Sequence, residues 1–266
     1  MSGISGHMIV KNEDKWVWYA ISSILPYVDE LLITDTGSTD HTLDLIRSFR
    51  SKKISLTQIT ASTPAQVTSA RQAQLSSSRY PWIWIIDADE IYPSKTAKEC
   101  LALTQSSRYE GILVRRYDLL GDIYHRQSET VGTYILFGHS GHLLIRLVNR
   151  AHLPGLHYQG DYPNEGFFDA HNHSILTHHP DRWALTNHSL YHAMYLRRSS
   201  IGSNLPMFNR SKYKIELGIA IKGEPPEVLK LSDPLSIAHP LSPRTWSYNL
   251  AARVITPIKQ LKRKYL

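Results

Sequence analysis

Trp82-Ile83-Trp84-Ile85-Ile86 constrains this chain more than any other segment. Five consecutive apolar residues leave no polar position on either face of a strand, so both faces must be covered. Such a strand belongs in the middle of a sheet with helices packed on each side. The preceding sequence supplies the other pieces. Residues 4–10 read as a first strand, and residues 13–24 as a helix with Trp16, Ala20 and Ile24 on one face, ended at Pro26. Leu31-Leu32-Ile33-Thr34 reads as a second strand, after which Thr39 and Asp40 are N-cap candidates for a helix carrying Leu43, Ile46 and Phe49. Residues 54–59 give a third strand and residues 64–77 a third helix. This alternation is that of an α/β fold with a mostly parallel, Rossmann-like sheet flanked by helices.

After about Glu110 the texture changes to shorter alternating segments, Ile112-Leu113-Val114, Tyr134-Ile135-Leu136-Phe137 and Leu143-Leu144-Ile145, with most of the 14 histidines. An α+β second half is expected there. Pro225, Pro226, Pro234, Pro240 and Pro243 predict extended or loop structure in the next stretch. The expected organisation is a first half over 1–110, a second over 111–215, and a C-terminal extension over 216–266.

With 266 residues, 42% of them hydrophobic, the chain buries roughly 75% of its unfolded surface, which excludes disordered and fibrous classes. No stretch approaches the roughly 20 apolar residues of a spanning helix, and the first residues lack the charged-then-apolar order of a signal peptide. The expectation is a cytoplasmic chain. A lone Cys100 excludes an intrachain disulfide and any CxxC site. The net charge of +7 is open to nucleic acid, anionic lipid or a phosphorylated small molecule, so its placement has to decide.

Ligands of open α/β sheets bind beyond the carboxyl ends of the strands. Three polar exits fall on that edge: Lys11-Asn12-Glu13, Asp35-Thr36-Gly37-Ser38 and Asp87-Ala88-Asp89-Glu90. If the strand continues through the third, Asp87 and Asp89 share a face, and like charges that close repel unless a cation lies between them. A hard divalent ion, Mg²⁺ or Mn²⁺, held by one or two carboxylates and a substrate's phosphates fits this need. The plainer alternative is one aspartate capping a helix and the other solvated. Asp35 likewise reads either as an Asx-turn residue ahead of Gly37 or as an acceptor for a nucleobase N–H.

The ordered segments MIVKNED, VDELLITDTGSTDHTLDLI, SARQAQL and WIWIIDADEIYP resemble the N-terminal half of a family 2 glycosyltransferase. The similarity is to the bacterial and archaeal branch whose motifs run IVKNE, DTGSTD-x-T, ARN and IDADE, and it covers residues 4–93. The resemblance implies the GT-A fold, with a nucleotide-sugar-binding half and an acceptor-binding half. It implies an inverting, metal-assisted transfer from a nucleotide-diphosphate sugar, UDP-linked, to a saccharide or lipid-linked acceptor in surface polysaccharide or glycoconjugate synthesis. Carried over residue by residue, it places Val10, Asn12, Glu13, Asp35, Arg71, Asp87, Ala88 and Asp89 at the nucleotide sugar, with Asp89 and Asp87 towards the metal. The asparagine of ARN is replaced by Gln72 here.

Loss of the acceptor's proton needs a carboxylate base on the far side of the sugar. By the resemblance, Glu165 in Tyr162-Pro163-Asn164-Glu165-Gly166 takes this role, following Ile145-Arg146-Leu147-Val148; Asp161 and Asp169 are rivals. His171, His173, His178 and His179 cluster in sequence. On its own such a cluster reads as polar surface, and the resemblance assigns His178 to the metal, with His179 one residue away. Tyr195-Leu196-Arg197-Arg198-Ser199-Ser200 and Arg210-Ser211-Lys212-Tyr213-Lys214 read as diphosphate-binding or as solvated basic surface. In the tail, Lys259, Lys262, Arg263 and Lys264 interleave with apolar residues and read either as a contact with the inner face of a membrane, each cation contributing about 1 kcal/mol, or as a solvated terminus. Two rival functions are a sugar nucleotidyltransferase, disfavoured because KNEDKW replaces a Gly-rich basic loop, and a basic nucleic-acid binder. Nucleic acid is not an expected partner, because the aromatics lie in WVWY and WIWII, which read as core.

Overall fold

The computed structural model describes residues 3–196 and 214–265. The basic segments at residues 197–200 and 210–213 lie outside them. The first half is β1 (Ile4–Val10), α1 (Val17–Ile24), β2 (Glu30–Asp35), α2 (Thr42–Arg47), β3 (Ile54–Gln58), α3 (Pro64–Ser77), β4 (Trp82–Ile85), β5 (Glu90–Ile91) and α4 (Ser94–Thr104). It continues with β6 (Gly111–Asp118), β7 (His125–Arg126), β8 (Tyr134–Leu136), β9 (His139–Gly141), β10 (Leu143–Asn149), β11 (His157–Gln159), β12 (Gly166–Phe168), β13 (Trp183–His192), β14 (Ile219–Ala220) and α5 (Trp246–Tyr265).

Eight strands form one sheet in the order β3-β2-β1-β4-β10-β6-β13-β5. β1, β2, β3 and β4 run parallel, β10 is antiparallel to β4 and β6, and β13 returns parallel to β6. The fold is thus mixed α/β, with a large, mostly parallel sheet. β4 lies inside it, and its alternation sorts the core into two. Trp82, Trp84 and Ile86 face the cluster built with Val17, Ile21 and Ile24 of α1 and Ala97 and Cys100 of α4. Ile83 and Ile85 face Leu75 of α3, Phe167 and Trp183. Burial on both faces is what the apolar run requires.

Local chemistry sets the boundaries. α3 starts where Thr63 accepts from the Gln66 N–H and Gln66 returns the bond, a capping box followed by Pro64. α1 begins at Val17 and not at residue 13: residues 13–16 form a turn, with Val17 N donating to Glu13 O at 2.9 Å. β3 ends at Gln58, one residue early. β8 and β9 pair with each other outside the main sheet. Among the described residues no helix is long and apolar enough to cross a membrane.

Gly111 of β6 pairs in register with Trp183 of β13, whose ring lies where a Gly111 side chain would be. A Cβ at Gly111 would collide with the Trp183 ring and lie 2.7 Å from the Leu147 carbonyl oxygen. Gly111→Ala is expected to lower unfolding stability by about 1–3 kcal/mol through overpacking, read as a lower urea midpoint at unchanged slope; an unchanged midpoint contradicts this packing.

Candidate active site

β4 ends at Ile85, and Asp87-Ala88-Asp89 forms a turn closed by Glu90 N donating to Asp87 O at 3.0 Å. The two aspartates are therefore not alternate residues of one strand, as expected from sequence. The turn sends them to different partners.

Asp87 meets Arg146, which occupies the point in β10 where the register with β6 shifts between Ile145 and Leu147. A bulge there re-aims the side chain along the sheet edge. Arg146 Nη2 donates to Asp87 Oδ2 at 2.7 Å and its Nε to Glu90 Oε1 at 3.0 Å, with a second Nη2 bond to Glu90. Glu90 is wholly buried. Burial pushes its carboxyl up to about 7, against the pull of Arg146. For Asp87 burial also acts upward, but Arg146 and Arg71 outweigh it and hold the carboxyl below its ordinary range.

Asp89 is buried and meets His192 Nε2 at 3.4 Å. The other ring nitrogen of His192, at the end of β13, lies 3.2 Å from Asp118 Oδ1, at the end of β6. Asp118 also meets Arg116 Nε at 3.0 Å and His142 Nδ1 at 3.5 Å, while His142 Nε2 donates to Val131 O at 2.7 Å. Burial alone would lower the His192 pKa; Asp89, Asp118 and Glu90 outweigh it and raise it to about 9. Among the described residues, Asp87, Glu90 and His192 form the one group of three potential ligands with donor atoms within 4.8 Å of one another.

The opposite wall comes from α3 and the β11–β12 hairpin. Arg71 Nε lies 2.8 Å from Glu165 Oε1, and its Nη2 lies 3.9 Å from Asp87 Oδ1. The hairpin is tied to α3 by Tyr158 N donating to Gln72 Oε1 at 2.9 Å and Tyr162 N donating to Thr68 Oγ1 at 3.0 Å. Gln72, the departure from the ARN pattern, thus docks the hairpin that delivers Glu165. Asp161 is exposed, and its carbonyl closes the adjoining turn with Asn164 N.

These walls enclose a cleft of about 340 Å³ lined by Val10, Lys11, Glu13, Thr36, Arg71, Asp87, Ala88, Asp89, Arg116, Tyr134, Arg146, Glu165, His192 and others. Of the residues singled out from sequence, Val10, Glu13, Arg71, Asp87, Ala88, Asp89 and Glu165 come together here. Asn12 and Asp35 are not among the lining residues. Asp35 accepts from the N–H groups of Gly37 and Ser38, both at 3.0 Å, and from the Ser38 hydroxyl. Gly37, at φ +102°, permits that turn. Asn12 Oδ1 accepts from Thr39 N at 2.7 Å.

His178 does not join Asp87 and Asp89. Its ring bridges Glu110, at 2.8 Å, and Asp169, at 3.6 Å. Glu110 precedes β6 while Asp118 ends it, so His178 sits at the opposite edge of the sheet, about 25 Å away by strand rise. Glu110 and Asp169 give its ring carboxylate partners there. Asp169 is held by the same loop, accepting from His171 N and His173 N. The histidine that does face the aspartates, His192, was not singled out from the sequence, nor were Arg116 and Asp118; Glu90 was named only as the end of the polar exit Asp87-Ala88-Asp89-Glu90. Their common signal is a polar residue ending or closely following an apolar strand.

The model of the family described as Glycosyl transferase family 2 matches residues 5–159. No curated protein matches the chain. Among solved structures, S. aureus TarS aligns with a TM-score of 0.51 at 15% identity, over 78% of this chain and 41% of that one. This chain spans about two fifths of that relative's length. TarS 1–349 in complex with UDP-GlcNAc aligns with a TM-score of 0.48 at 16% identity, covering 72% and 58%. Glucosyl-3-phosphoglycerate synthase from Mycobacterium tuberculosis in complex with Mn²⁺, UDP-glucose and phosphoglyceric acid gives 0.46 at 18% identity, covering 72% of each chain.

Arg146 is the cation common to Asp87 and Glu90. Arg146→Ala is expected to cost about 3–5 kcal/mol of stability near neutral pH, because a buried carboxylate is left without its partner. Asp87, over a third exposed, contributes the smaller share. Without Arg146, burial holds the folded-state Glu90 carboxyl still further above its unfolded value, so the deficit shrinks as pH falls and Glu90 protonates. Urea unfolding at pH 8 and pH 5 checks this; an equal deficit at both contradicts it.

Proposed function

The chain belongs to glycosyl transferase family 2, and from that premise we propose that it moves a sugar from a UDP-linked donor to a saccharide or lipid-linked acceptor with inversion, in surface polysaccharide or glycoconjugate synthesis. The observation that carries the reading is the pairing of Glu165 with Arg71, whose other end reaches Asp87. It fixes a carboxylate on the cleft wall opposite β4, joined through Arg71 to the acidic turn.

In this reading Val10, Glu13 and Thr36 flank the nucleoside, and Asn12 and Asp35 shape the loop beneath it. Glu165 takes the proton of the acceptor hydroxyl as its oxygen bonds to the anomeric carbon. The bond from that carbon to the phosphate oxygen breaks on the opposite side, and nucleoside diphosphate leaves with the electron pair. Arg71 orients Glu165. Inversion follows from attack opposite the leaving group.

A divalent ion, Mn²⁺ or Mg²⁺, belongs to the same reading. Asp89 and His192 would hold it with Asp87 beside them, since Glu90 is engaged by Arg146 and does not line the cleft. Carboxylate oxygen and imidazole nitrogen form a donor set that suits a hard or borderline cation. When bound, the ion supplies charge stabilisation for the departing diphosphate. Asp118 orients the His192 ring from behind, as carboxylates do for ligating histidines.

Two measurements test the proposal. Glu165→Gln is expected to lower kcat by about 10²–10⁴-fold with donor affinity unchanged, while Asp161→Asn stays near wild type; full turnover by Glu165→Gln removes Glu165 from the base position. In a thermal-shift panel of UDP-, GDP-, CMP- and dTDP-sugars with and without Mn²⁺, the UDP-sugar with Mn²⁺ is expected to stabilise by about 2.7 kcal/mol at one hundred times its Kd. No shift with any donor would sink the transferase reading.

A further inference from the structure

The C-terminal helix carries a surface that the cleft does not use. On α5, Trp246, Leu250, Val254, Ile258, Leu261 and Tyr265 recur at spacings of three and four and are between 49% and 77% exposed. They form a stripe roughly 120° wide and about 30 Å long. The opposite face holds the helix to the body of the protein. Tyr248, Ala252 and Thr256 are buried; the Tyr248 hydroxyl donates to Lys214 O at 2.9 Å, and Leu217 N donates to Thr256 Oγ1 at 2.8 Å. Single exposed apolar residues are ordinary, whereas an unbroken apolar helix face marks an interaction site.

Charge selects the occupant. α5 contains five Lys and Arg residues and no Asp or Glu. Arg263 and Lys259 turn inward to Glu216, at 2.7 and 3.4 Å. They therefore belong to the anchoring face, a correction to the tail as read from sequence. By helical position, Arg253 and Lys264 flank the stripe on one side and Lys262 on the other, all three exposed. A second copy of this helix would bring like charges together along both flanks. An anionic bilayer takes the apolar stripe into its acyl boundary and the flanking cations at its headgroups. Trp246 and Tyr265 mark the two ends with amphipathic rings suited to that depth.

The helix also starts on the edge of the sheet where the cleft opens. Asp118, behind His192, is four residues before Asp122, whose Oδ2 accepts from Arg244 N at 3.1 Å, just ahead of α5. We propose that α5 lies in the surface of an anionic lipid membrane through its 246–265 apolar stripe, keeping the cleft close to the bilayer. The inference stands apart from the transferase reading, because vesicle binding is measured without turnover.

The test is co-sedimentation of the full chain with phosphatidylcholine vesicles, with and without phosphatidylglycerol, and analytical ultracentrifugation without lipid. Wild type is expected to pellet with the phosphatidylglycerol vesicles. Leu250→Ser/Ile258→Ser and Arg253→Glu/Lys264→Glu are each expected to bind at least about tenfold more weakly at unchanged melting temperature. Should one pair destabilise the chain, the other still decides. The proposal is overturned if wild type stays in the supernatant, if a folded variant pellets like wild type, or if wild type is a dimer that Leu250→Ser/Ile258→Ser converts to monomer.

Discussion

The site depends on one cation placed where a strand breaks its register. β4 is too apolar to carry charge, so its carboxylates emerge only past Ile85, at the boundary between core and cleft. Two of them, Asp87 and Glu90, arrive within one turn, and one is wholly buried. Without a partner that turn would not fold at neutral pH with both groups ionised. Arg146 answers both, and it reaches them because β10 bulges at that residue. The bulge is thus the price of the acidic turn.

From that turn two charge chains run in opposite directions. One passes from Asp87 through Arg71 to Glu165, joining the sheet edge to a hairpin that is docked on α3 through Gln72 and Thr68. The other passes from Asp89 through His192 to Asp118 and on to Arg116 and His142. Along Asp87, Arg71 and Glu165, and along Asp89, His192, Asp118 and Arg116, the charges alternate in sign, so each of these groups has an opposite neighbour. The two chains share no side chain, so Asp89 and His192 are held independently of Glu165, whereas Asp87 is linked to Glu165 through Arg71. Arg146 holds Asp87 from its other side, so a change at Glu165 leaves that aspartate a cationic partner.

Much of this was legible in the sequence, and the boundary is physical. The run Trp82 to Ile86 fixes its own position inside a sheet, because no other environment buries both faces, and the acids after it then have to stand on the carboxyl edge. Local turn chemistry was equally readable at Asp35-Thr36-Gly37. Partners that arrive across the sheet were not. His192 comes from a strand a hundred residues later, and nothing near it in sequence distinguishes it from His178, which the fold carries to the far edge and seats between Glu110 and Asp169. Arg146 was visible as part of Ile145-Arg146-Leu147-Val148, but its reach depends on a register shift that no alternation pattern encodes. In the tail, the basic residues drew attention first, although helical spacing from Trp246 already separates an apolar face from an anchoring one.

The net charge of +7 acquires a location from these contacts. Five cations line the cleft, Lys11, Arg71, Arg116, Arg146 and His192 with its raised pKa, against four carboxylates, Glu13, Asp87, Asp89 and Glu165, with Glu90 and Asp118 behind them. A groove for nucleic acid needs an uncompensated positive stripe along the backbone path. This cleft has no such excess. A nearly balanced lining suits a diphosphate that comes with its own divalent cation, because the pair brings little net charge and is held by oriented partners more than by bulk potential. The excess lies outside the cleft, and on α5 three cations remain exposed after Glu216 has drawn Lys259 and Arg263 inward. The charges thus fall into two arrangements, a nearly balanced lining in the cleft and a basic, apolar-striped face on α5.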